Sequence, residues 1–225
     1  MSNTRGSTAP THTGRPRNLD IDNAVLTATL QILSEVGYSN LTFEDVAKRA
    51  GTSRPAIYRR WPGRPHMVLA AIATRLEVPT PPDTGCTLCD IGEAFDVFLE
   101  AYRTIRPDVL SSLYADCAAD PELKQRYMDT LIEPPRAAVS VTIDRAIERQ
   151  NIRSTVDRDT LLDMLASLVH YRAMFGHEHM TPDEAENAIE LILRGAAIDY
   201  EALLAHSQAM EEEHLLNISV PHGKT

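Results

Sequence analysis

The sequence predicts an all-α protein, and three observations support that prediction. Apolar residues recur at intervals of three and four along most of the 225-residue chain, as on one face of a helix. No stretch shows the period-two alternation of a strand, and the chain contains no Asn-Gly or Asp-Gly hairpin turn. Aromatic residues make up only 5% of the chain, whereas β-rich folds favour them.

The N-terminal part begins with a polar arm and a first helix. Residues 1–18 are rich in Ser, Thr, Pro and Gly and lack hydrophobic periodicity, so we expect a disordered arm. The first helix begins at Leu19, and Gly37 supplies its stop. Its apolar face consists of residues at helical spacing: Ile21, Val25, Ala28, Ile32 and Val36.

Two short helices with recognisable caps follow. Thr42 can cap a helix over residues 43–50, which ends at a glycine. Ser53 can cap a third helix that runs to about Trp61. Pro55 lies in the first turn of that helix, where the missing N–H costs nothing.

A linker separates these helices from the rest of the chain. A fourth helix covers residues 64–76, and the Pro-rich segment 78–85 follows it. Beyond it the pattern is helical over residues 88–103, 107–119, 121–150, 158–175 and 182–205, and Pro134-Pro135 must break or kink the third of these. The predicted divisions are an arm (1–18), a helix-turn-helix domain (19–63), a larger helical domain (64–206) and a flexible tail (207–225).

Charge changes sign along the chain. The formal net charge is −10, yet residues 1–76 hold ten Lys/Arg against five Asp/Glu, and residues 77–225 hold twelve against twenty-seven. A basic head on an acidic body indicates that only the head meets a polyanion such as nucleic acid. A basic arm and one basic helix face that coincide by chance are the alternative.

The third helix carries the residues that suit a nucleic acid. A short helix after a tight turn is typical of a helix-turn-helix, whose second helix enters the major groove. Ile57 and Trp61 lie four residues apart and are predicted to face inward. The predicted outward face is Arg54, Ala56, Tyr58, Arg59 and Arg60. This composition suits contacts to phosphates and base edges, and a solvated basic helix is the alternative.

The segment at residues 37–61 resembles the DNA-binding signature of TetR/AcrR-family transcriptional regulators; it reads GYSNLTFEDVAKRAGTSRPAIYRRW. The resemblance covers about residues 19–70. It implies a three-helix DNA-binding domain joined to a larger helical ligand-binding and dimerisation domain. It also implies a homodimer that binds double-stranded operator DNA, and a repressor that a small apolar or amphipathic effector releases.

The resemblance further implies which residues contact DNA. Positions where the family contacts phosphates are occupied by Thr42, Ser53, Tyr58 and Arg64. Positions near the bases are occupied by Arg54, Pro55, Ala56 and Arg59, and Thr52 and Arg60 complete the set. Two departures are Pro55, where Gly or Ala is frequent, and Trp61, where Phe is frequent. The first makes the family's base-reading pattern hard to transfer.

Arg15 and Arg17 lie on the arm before the first helix. Arginines on a flexible arm can enter an adjacent minor groove. A basic tail with only non-specific attraction to DNA is the alternative. We expect the arm to add affinity in either case.

Cysteines and histidines give weaker signals. Three cysteines exclude a disulfide scaffold. Cys86 and Cys89 form a C-x-x-C pair that suits a thiol sensor or a metal site, although zinc needs four ligands and the pair is more simply incidental. His170 and His177 are compatible with metal binding or with a solvated helix end. No phosphate loop, HExxH motif or Ser/His/Asp pattern occurs, so we expect no enzyme, cofactor or metal.

The larger domain offers material for a pocket and for a dimer. The predicted effector-pocket residues, which could instead fill the core, are Phe95, Phe98, Tyr102, Arg106, Tyr114, Tyr127, Met128, Met164, Tyr171 and Phe175. Two long helices carry apolar stripes that could form a four-helix dimer interface, which the resemblance supports, or equally an internal core. The stripes are Leu161, Leu165, Leu168 and Phe175, with Ala185, Ile189, Ile192 and Ala196.

Nothing in the sequence indicates export or membrane insertion. No segment approaches the roughly 20 apolar residues that span a bilayer. Residues 1–18 lack the apolar centre of a signal peptide. We therefore expect a cytoplasmic protein without a membrane partner.

Overall fold

The structure, a computed structural model, describes residues 19–175 and 180–219, with side chains up to residue 215. Regular secondary structure in these ranges is helical, which confirms the predicted all-α class. The helices are α1 Leu19–Val36, α2 Phe43–Arg49, α3 Arg54–Tyr58, α4 Arg64–Ala73, α5 Thr87–Thr104, α6 Pro107–Ala118, α7 Pro121–Tyr127, α8 Glu133–Glu148, α9 Arg158–Phe175, α10 Pro182–Ala196 and α11 Tyr200–Ser219. Within the same ranges, no helix has the length and apolar character needed to cross a membrane.

The long segment predicted over residues 121–150 is interrupted, as expected, beside Pro134 and Pro135. A π-helical turn over Met128–Ile132 joins α7 to α8, and the Glu133 N–H bonds the carbonyl of Met128, five residues back. The two prolines then lie in the first turn of α8, where their missing N–H groups are tolerated. The prolines therefore widen the helix into a π turn rather than separating two helices by a loop.

The predicted helix over residues 182–205 is wrong. Helix α10 ends because Ala197 takes an extended conformation and forms an isolated antiparallel bridge with Ile152. The neighbouring Ile198 N–H bonds the Asn151 carbonyl at 3.0 Å. Helix α11 then continues to Ser219, so most of the segment predicted as a tail is helical, and residues 220–225 lie outside the described residues.

Buried apolar side chains form two clusters. The first core joins α1–α4 to α6, α7 and the π turn. The second core joins α5, α8, α9 and α10. The first core crosses the predicted domain boundary at residues 63–64, and α4 packs against both α1 and the pair α6 and α7. Tyr102 of α5 packs against both cores.

The second half of the linker is held by a buried polar network. The Asp90 carboxylate, with a side chain only 1% exposed, accepts hydrogen bonds from the backbone and hydroxyl of Thr84 and forms an ion pair with Arg149 at 2.7 Å. Thr87 accepts hydrogen bonds from Arg149 and Asn151. This network fastens the linker to the start of α5 and the end of α8.

Candidate nucleic-acid interface

Helices α2 and α3 form the predicted helix-turn-helix, and both caps are as expected. The Thr42 hydroxyl accepts a hydrogen bond from the Asp45 N–H at 3.1 Å. The Ser53 hydroxyl accepts one from the Ala56 N–H at 3.4 Å. Gly51, with φ of +62°, supplies the left-handed residue that the turn between the helices requires. Local sequence alone therefore sets the geometry of the motif.

The inward face of α3 is wider than the sequence predicts. Ile57 is fully buried beside Val46 of α2, as expected. Ala56 is also buried, at 8% exposure, so its predicted place on the outward face is wrong. In a helix of five residues, two adjacent positions are enough to fill the side that meets the core.

Arg60 does not face outward either. It lies three and four residues after Ile57 and Ala56 and therefore shares their side. Its guanidinium forms an ion pair with Asp22 of α1, and the two side chains are 17% and 20% exposed. It also donates to the Ala56 carbonyl at 3.0 Å. Arg60 thus fastens α3 to α1, contrary to its predicted place on the DNA-facing side.

Arg54, Tyr58 and Arg59 are exposed, as predicted, and Pro55, which was not among the predicted outward residues, is exposed beside them. The Tyr58 ring is 44% exposed and stacks on Phe43 of α2, with centroids 4.4 Å apart and planes 10° apart. Phe43 holds the phenol at the surface, a role that sequence reasoning missed. Its place at the first position of α2 carries no local signal for a contact with α3.

The charge on this face is positive and only weakly compensated. Arg54 pairs with Glu44 at 3.4 Å, but both side chains are more than half exposed, so the pair adds little stability. A hydrogen bond with Tyr58 is the main cause that raises the pKa of Arg54. Arg59 and Lys48 are exposed and form no ion pair with any residue that the structure describes. Lys48 was absent from the predicted set.

The remaining predicted DNA contacts differ in their surroundings. Thr42 and Ser53 are exposed at their caps, and Thr52 is half-buried in the turn. Arg15 and Arg17 lie outside the described residues.

Arg64 points towards the body of the protein. Its guanidinium lies over the Tyr38 ring, 4.3 Å from the centroid, and donates to Asp116 of α6 at 3.0 Å. The Tyr38 hydroxyl donates to the same carboxylate at 2.7 Å. Hydrogen bonds from Tyr38 and then from Arg64 lower the pKa of Asp116. Burial is the main cause that raises the pKa of Tyr38. The predicted phosphate contact is thus part of a polar link between α4, α6 and the N-terminal helices.

The predicted effector-pocket residues do not enclose a pocket. Phe95 and Phe98 are 3% and 2% exposed in the second core, and Tyr127 is 7% exposed in the first. The cavity that Phe98, Tyr102 and Tyr127 share has a volume of about 10 Å³, room for one water at most. Burial raises the pKa of Tyr102 to about 12, so its phenol stays neutral. These four aromatic side chains fill the interior.

Other predicted pocket residues lie on the surface. Tyr114, Met164, Tyr171 and Phe175 are 38%, 48%, 55% and 71% exposed, respectively. Arg106 forms a two-pronged pair with Asp108 on the surface, both contacts at 2.9 Å. Met128 is half-buried in the π turn. The structure does not bring these residues together around one interior cavity, because helical spacing does not tell which face of a helix meets the core.

Half of the residues in the predicted dimer stripes are buried inside their own chain. Leu161, Leu165, Ile189 and Ala196 are buried in the second core of their own chain. Leu168, Ala185 and Ile192 are half-buried, and only Phe175 is widely exposed. The exposed apolar face of α9 is instead Met164, Leu168, Tyr171 and Phe175, spaced by four, three and four residues.

The cysteine and histidine signals have local roles. The sulfur atoms of Cys86 and Cys89 are in bonding contact at the start of α5. His170 lies edge-on to Tyr102 and hydrogen-bonds the Ala166 carbonyl through Nδ1 at 2.6 Å. His177 lies outside the described residues, and within the described part of the chain no three His, Cys, Asp or Glu side chains form a metal-binding group.

An open apolar cleft lies where α4 meets the linker. Its volume is about 290 Å³, and we call it the linker cleft. It lies between the end of α4, the first linker residues, α5 and the π turn. Its lining residues are Ala73, Leu76, Glu77, Val78, Pro79, Val97, Glu100, Ala101, Asp129, Thr130, Leu131, Pro134 and Pro135.

Comparison with known families decides what this architecture is. Residues 25–71 match the family described as bacterial regulatory proteins, tetR family. Residues 81–192 match the family described as tetracyclin repressor-like, C-terminal domain. The chain belongs to the TetR family. It is a DNA-binding transcriptional regulator and not an enzyme, as the signature at residues 37–61 implied.

Two named relatives of this TetR-family regulator are transcriptional regulators, and the alignment with each of them covers most of both chains. It is 28% identical to the HTH-type transcriptional regulator AqdR of Rhodococcus erythropolis, over 84% of this chain and 92% of that protein. It is 25% identical to the DNA-binding transcriptional repressor TetR of Mycobacteroides abscessus, over 68% of this chain and 82% of that protein.

A solved structure with the same fold holds a ligand. The transcriptional regulator FadR of Bacillus subtilis, in complex with stearoyl-CoA, aligns with a TM-score of 0.55 and 12% identity. The alignment covers 77% of this chain and 98% of that one. At this identity the likeness establishes the fold of this TetR-family regulator and says nothing of its own ligand.

Proposed function

We propose that this regulator is a repressor that binds double-stranded operator DNA as a homodimer and leaves it when a small apolar or amphipathic effector binds. The observation that carries the proposal is the outward face of α3. Arg54, Tyr58 and Arg59 are exposed there, and the first core does not use them. The printed name of the Mycobacteroides abscessus relative supports repression, and the FadR complex supports ligand binding on this fold.

Helix α3 would enter the major groove with its exposed arginines towards the base edges. Arginine is the side chain that most often reads guanine, through two hydrogen bonds. Tyr58 and the exposed caps Thr42 and Ser53 would contact phosphates and fix the register of the helix. We infer that Lys48 adds a phosphate contact from α2, since it is exposed and unpaired among the described residues. Arg60 and Ala56 act in folding rather than in recognition.

The homodimer would form through the exposed apolar face of α9. Met164, Leu168, Tyr171 and Phe175 lie on one side of the helix. Leu191 of α10 is also an exposed apolar side chain, at 77% exposure. An isologous contact between two such faces would bury both and place the two copies of α3 at the same end of the dimer, on opposite sides of the two-fold axis.

Release would act through α4, which contacts α1, α6 and α7. The Tyr38–Arg64–Asp116 link fixes the start of α4 against both the N-terminal helices and α6. Two half-sites have a fixed spacing, so a tilt of both copies of α4 would prevent simultaneous docking. An effector can cause that tilt only by preferring the tilted conformation, and operator DNA must then weaken effector binding by the same factor.

Operator binding is tested with the DNA upstream of the protein's own gene, by fluorescence anisotropy against excess unrelated DNA. We expect retention of the operator against competitor, with affinity that falls as salt rises. Equal affinity for operator and competitor would contradict the proposal.

The dimer is tested by sedimentation of the parent and of Tyr171→Glu at micromolar concentration. We expect a dimeric parent, and a variant that is largely monomeric with unchanged helicity. Leu215→Glu, a change at another exposed apolar residue on α11, serves as the control and should stay dimeric. A dimeric Tyr171→Glu would exclude the α9 face.

A further inference from the structure

The linker cleft combines apolar walls with an open mouth. Leu76, Val97 and Leu131 provide aliphatic surface, and Pro134 and Pro135 close one side. Val78 lies at the cleft and is 90% exposed, a degree of exposure that is unfavourable for an apolar side chain without an occupant beside it. A volume of about 290 Å³ is at the lower end of the range for small-molecule pockets.

The charges in this cleft are of one sign. Three carboxylates, those of Glu77, Glu100 and Asp129, belong to the lining, and the lining contains no Lys, Arg or His. Glu100 accepts a hydrogen bond from the Thr104 hydroxyl at 3.0 Å, and Asp129 accepts one from the Gln125 amide at 2.8 Å. Both donors are neutral. No ion pair within the described part of the chain compensates any of the three carboxylates.

Two backbone carbonyls of the π turn lack the partner that a regular helix would give them. In a regular helix the carbonyls of Thr130 and Leu131 would bond the N–H groups four residues on, but those positions are Pro134 and Pro135. Both Thr130 and Leu131 line the cleft. The cleft itself combines apolar surface with negative charge, which together disfavour anions.

We propose that the linker cleft binds a hydrophobic monocation, an apolar body that carries one quaternary or protonated amine. This inference deepens the proposed function, on which it rests, by naming the effector's chemical class and its site. The apolar body would lie against Leu76, Val97 and the two prolines, with the cation towards Glu77 and Glu100. Because Ala73 and Leu76 lie at the end of α4 and beside it, an occupant contacts the helix that positions the DNA-binding head.

The test uses three probes with one apolar body and different head groups: 4-phenylbutyl-trimethylammonium, 4-phenylbutanol and 4-phenylbutyrate. Binding to the full chain without DNA is measured by isothermal titration calorimetry. We expect the cation to bind at least about tenfold more tightly than the alcohol, and the carboxylate more weakly than both. Equal affinity for the three probes, or no binding of the cation, would overturn the proposal.

Variants locate the binding in the cleft. Glu77→Gln and Glu100→Gln should each weaken binding of the cation about threefold and leave binding of the alcohol unchanged, because each removes one exposed charge. The Glu100→Lys variant should reverse the preference in favour of the carboxylate. Glu213→Gln on α11, exposed and outside the cleft, is the matched control and should bind as the parent does. Unchanged cation affinity in all the cleft variants would show that the cation does not bind in the linker cleft.

A second readout separates this inference from the proposed function. The cation is titrated into the protein–operator complex, and anisotropy reports release. Binding that depends on Glu77 and Glu100 without operator release would uphold the site and contradict the effector role. Operator release by another compound, with no binding of the cation, would uphold the repressor and contradict the site.

Discussion

The helices around the two cores differ in the outer surface that they expose. Around the first core that surface is charged, with Arg54 and Arg59 exposed on and just after α3 while Ile57 is buried beneath them. Around the second core it is apolar on α9, where Tyr171 and Phe175 are exposed. The N-terminal helices therefore suit contact with a polyanion such as DNA, and under the proposed function the α9 face meets the apolar face of a second copy.

A network of hydrogen bonds and ion pairs also lies at the border of each core. Tyr38, Arg64 and Asp116 join the N-terminal helices to α6 at the border of the first core. Asp90 and Arg149 join the linker to α5 and α8 at the border of the second. The α4 and linker residues of the cleft, from Ala73 to Pro79, lie between Arg64 and Asp90 in the sequence.

The largest expected effect is on the free energy of unfolding, and it tests whether the two cores unfold separately. Leu113 and Leu165 are fully buried, one in each core, so Leu113→Ala and Leu165→Ala should each lower the free energy of unfolding by about 2–5 kcal/mol. Amide hydrogen exchange should show the loss of protection mainly in α1–α4 and α6 for the first variant. For the second it should appear mainly in α5 and α8–α10. An equal loss throughout the chain in both variants would show that the two cores unfold as one.

A smaller effect tests the fastening at the linker. Asp90→Asn removes a buried charge partner of Arg149 and should lower the free energy of unfolding by about 2–3 kcal/mol, below the value for a fully buried pair because Arg149 is 28% exposed. Asp83→Asn is the matched control: its carboxylate faces the same arginine at 3.7 Å but is 52% exposed, so its loss should cost under about 1 kcal/mol. Urea unfolding measures both. Similar losses in the two variants would contradict the role of the buried network.

The smallest of the stability effects concerns Asp116, whose pKa is lowered in the folded protein. A lowered carboxyl pKa adds stability above the ordinary value of 3.8 that is lost as pH falls through the lower folded-state value. Asp116→Asn should therefore be less stable than the parent at pH 7, by under about 1 kcal/mol because the side chain is 41% exposed, and the gap should shrink towards pH 3. Urea unfolding at both pH values measures the gap. A gap that is the same at pH 7 and pH 3 would contradict the link.

Local signals in the sequence predicted the N-terminal helices well. The caps Thr42 and Ser53 and the turn at Gly51 depend on residues within a few positions of one another, and all three are as expected. Ala56 and Arg60 were misplaced because a five-residue helix has too little length for periodicity to fix its inward side.

Long-range contacts set what the sequence could not predict. The end of α10 depends on a bridge between Ala197 and Ile152, 45 residues earlier in the chain. On α9, helical spacing shows two apolar stripes, and only packing against α5 and α8 decides that Leu165 is buried and Tyr171 exposed. For this reason Met164, Tyr171 and Phe175, which were predicted to line a pocket, are exposed. Leu161 and Leu165, which were predicted to form a dimer stripe, are buried. The linker cleft escaped prediction because it joins α4, α5 and the π turn, which are distant in sequence.

We propose that two adjacent arginines at the end of α3 have separate roles, Arg59 in operator recognition and Arg60 in folding. The test compares Arg59→Ala with Arg60→Ala. For each variant, operator affinity is measured by fluorescence anisotropy and the free energy of unfolding by urea denaturation. Arg59→Ala should weaken operator binding by about 1–3 kcal/mol and change unfolding by under about 0.5 kcal/mol. Arg60→Ala should lower the free energy of unfolding by about 1 kcal/mol, because it leaves the partly buried Asp22 unpaired. Operator affinity unchanged in Arg59→Ala, or a stability loss equal to that of Arg60→Ala, would contradict the claim.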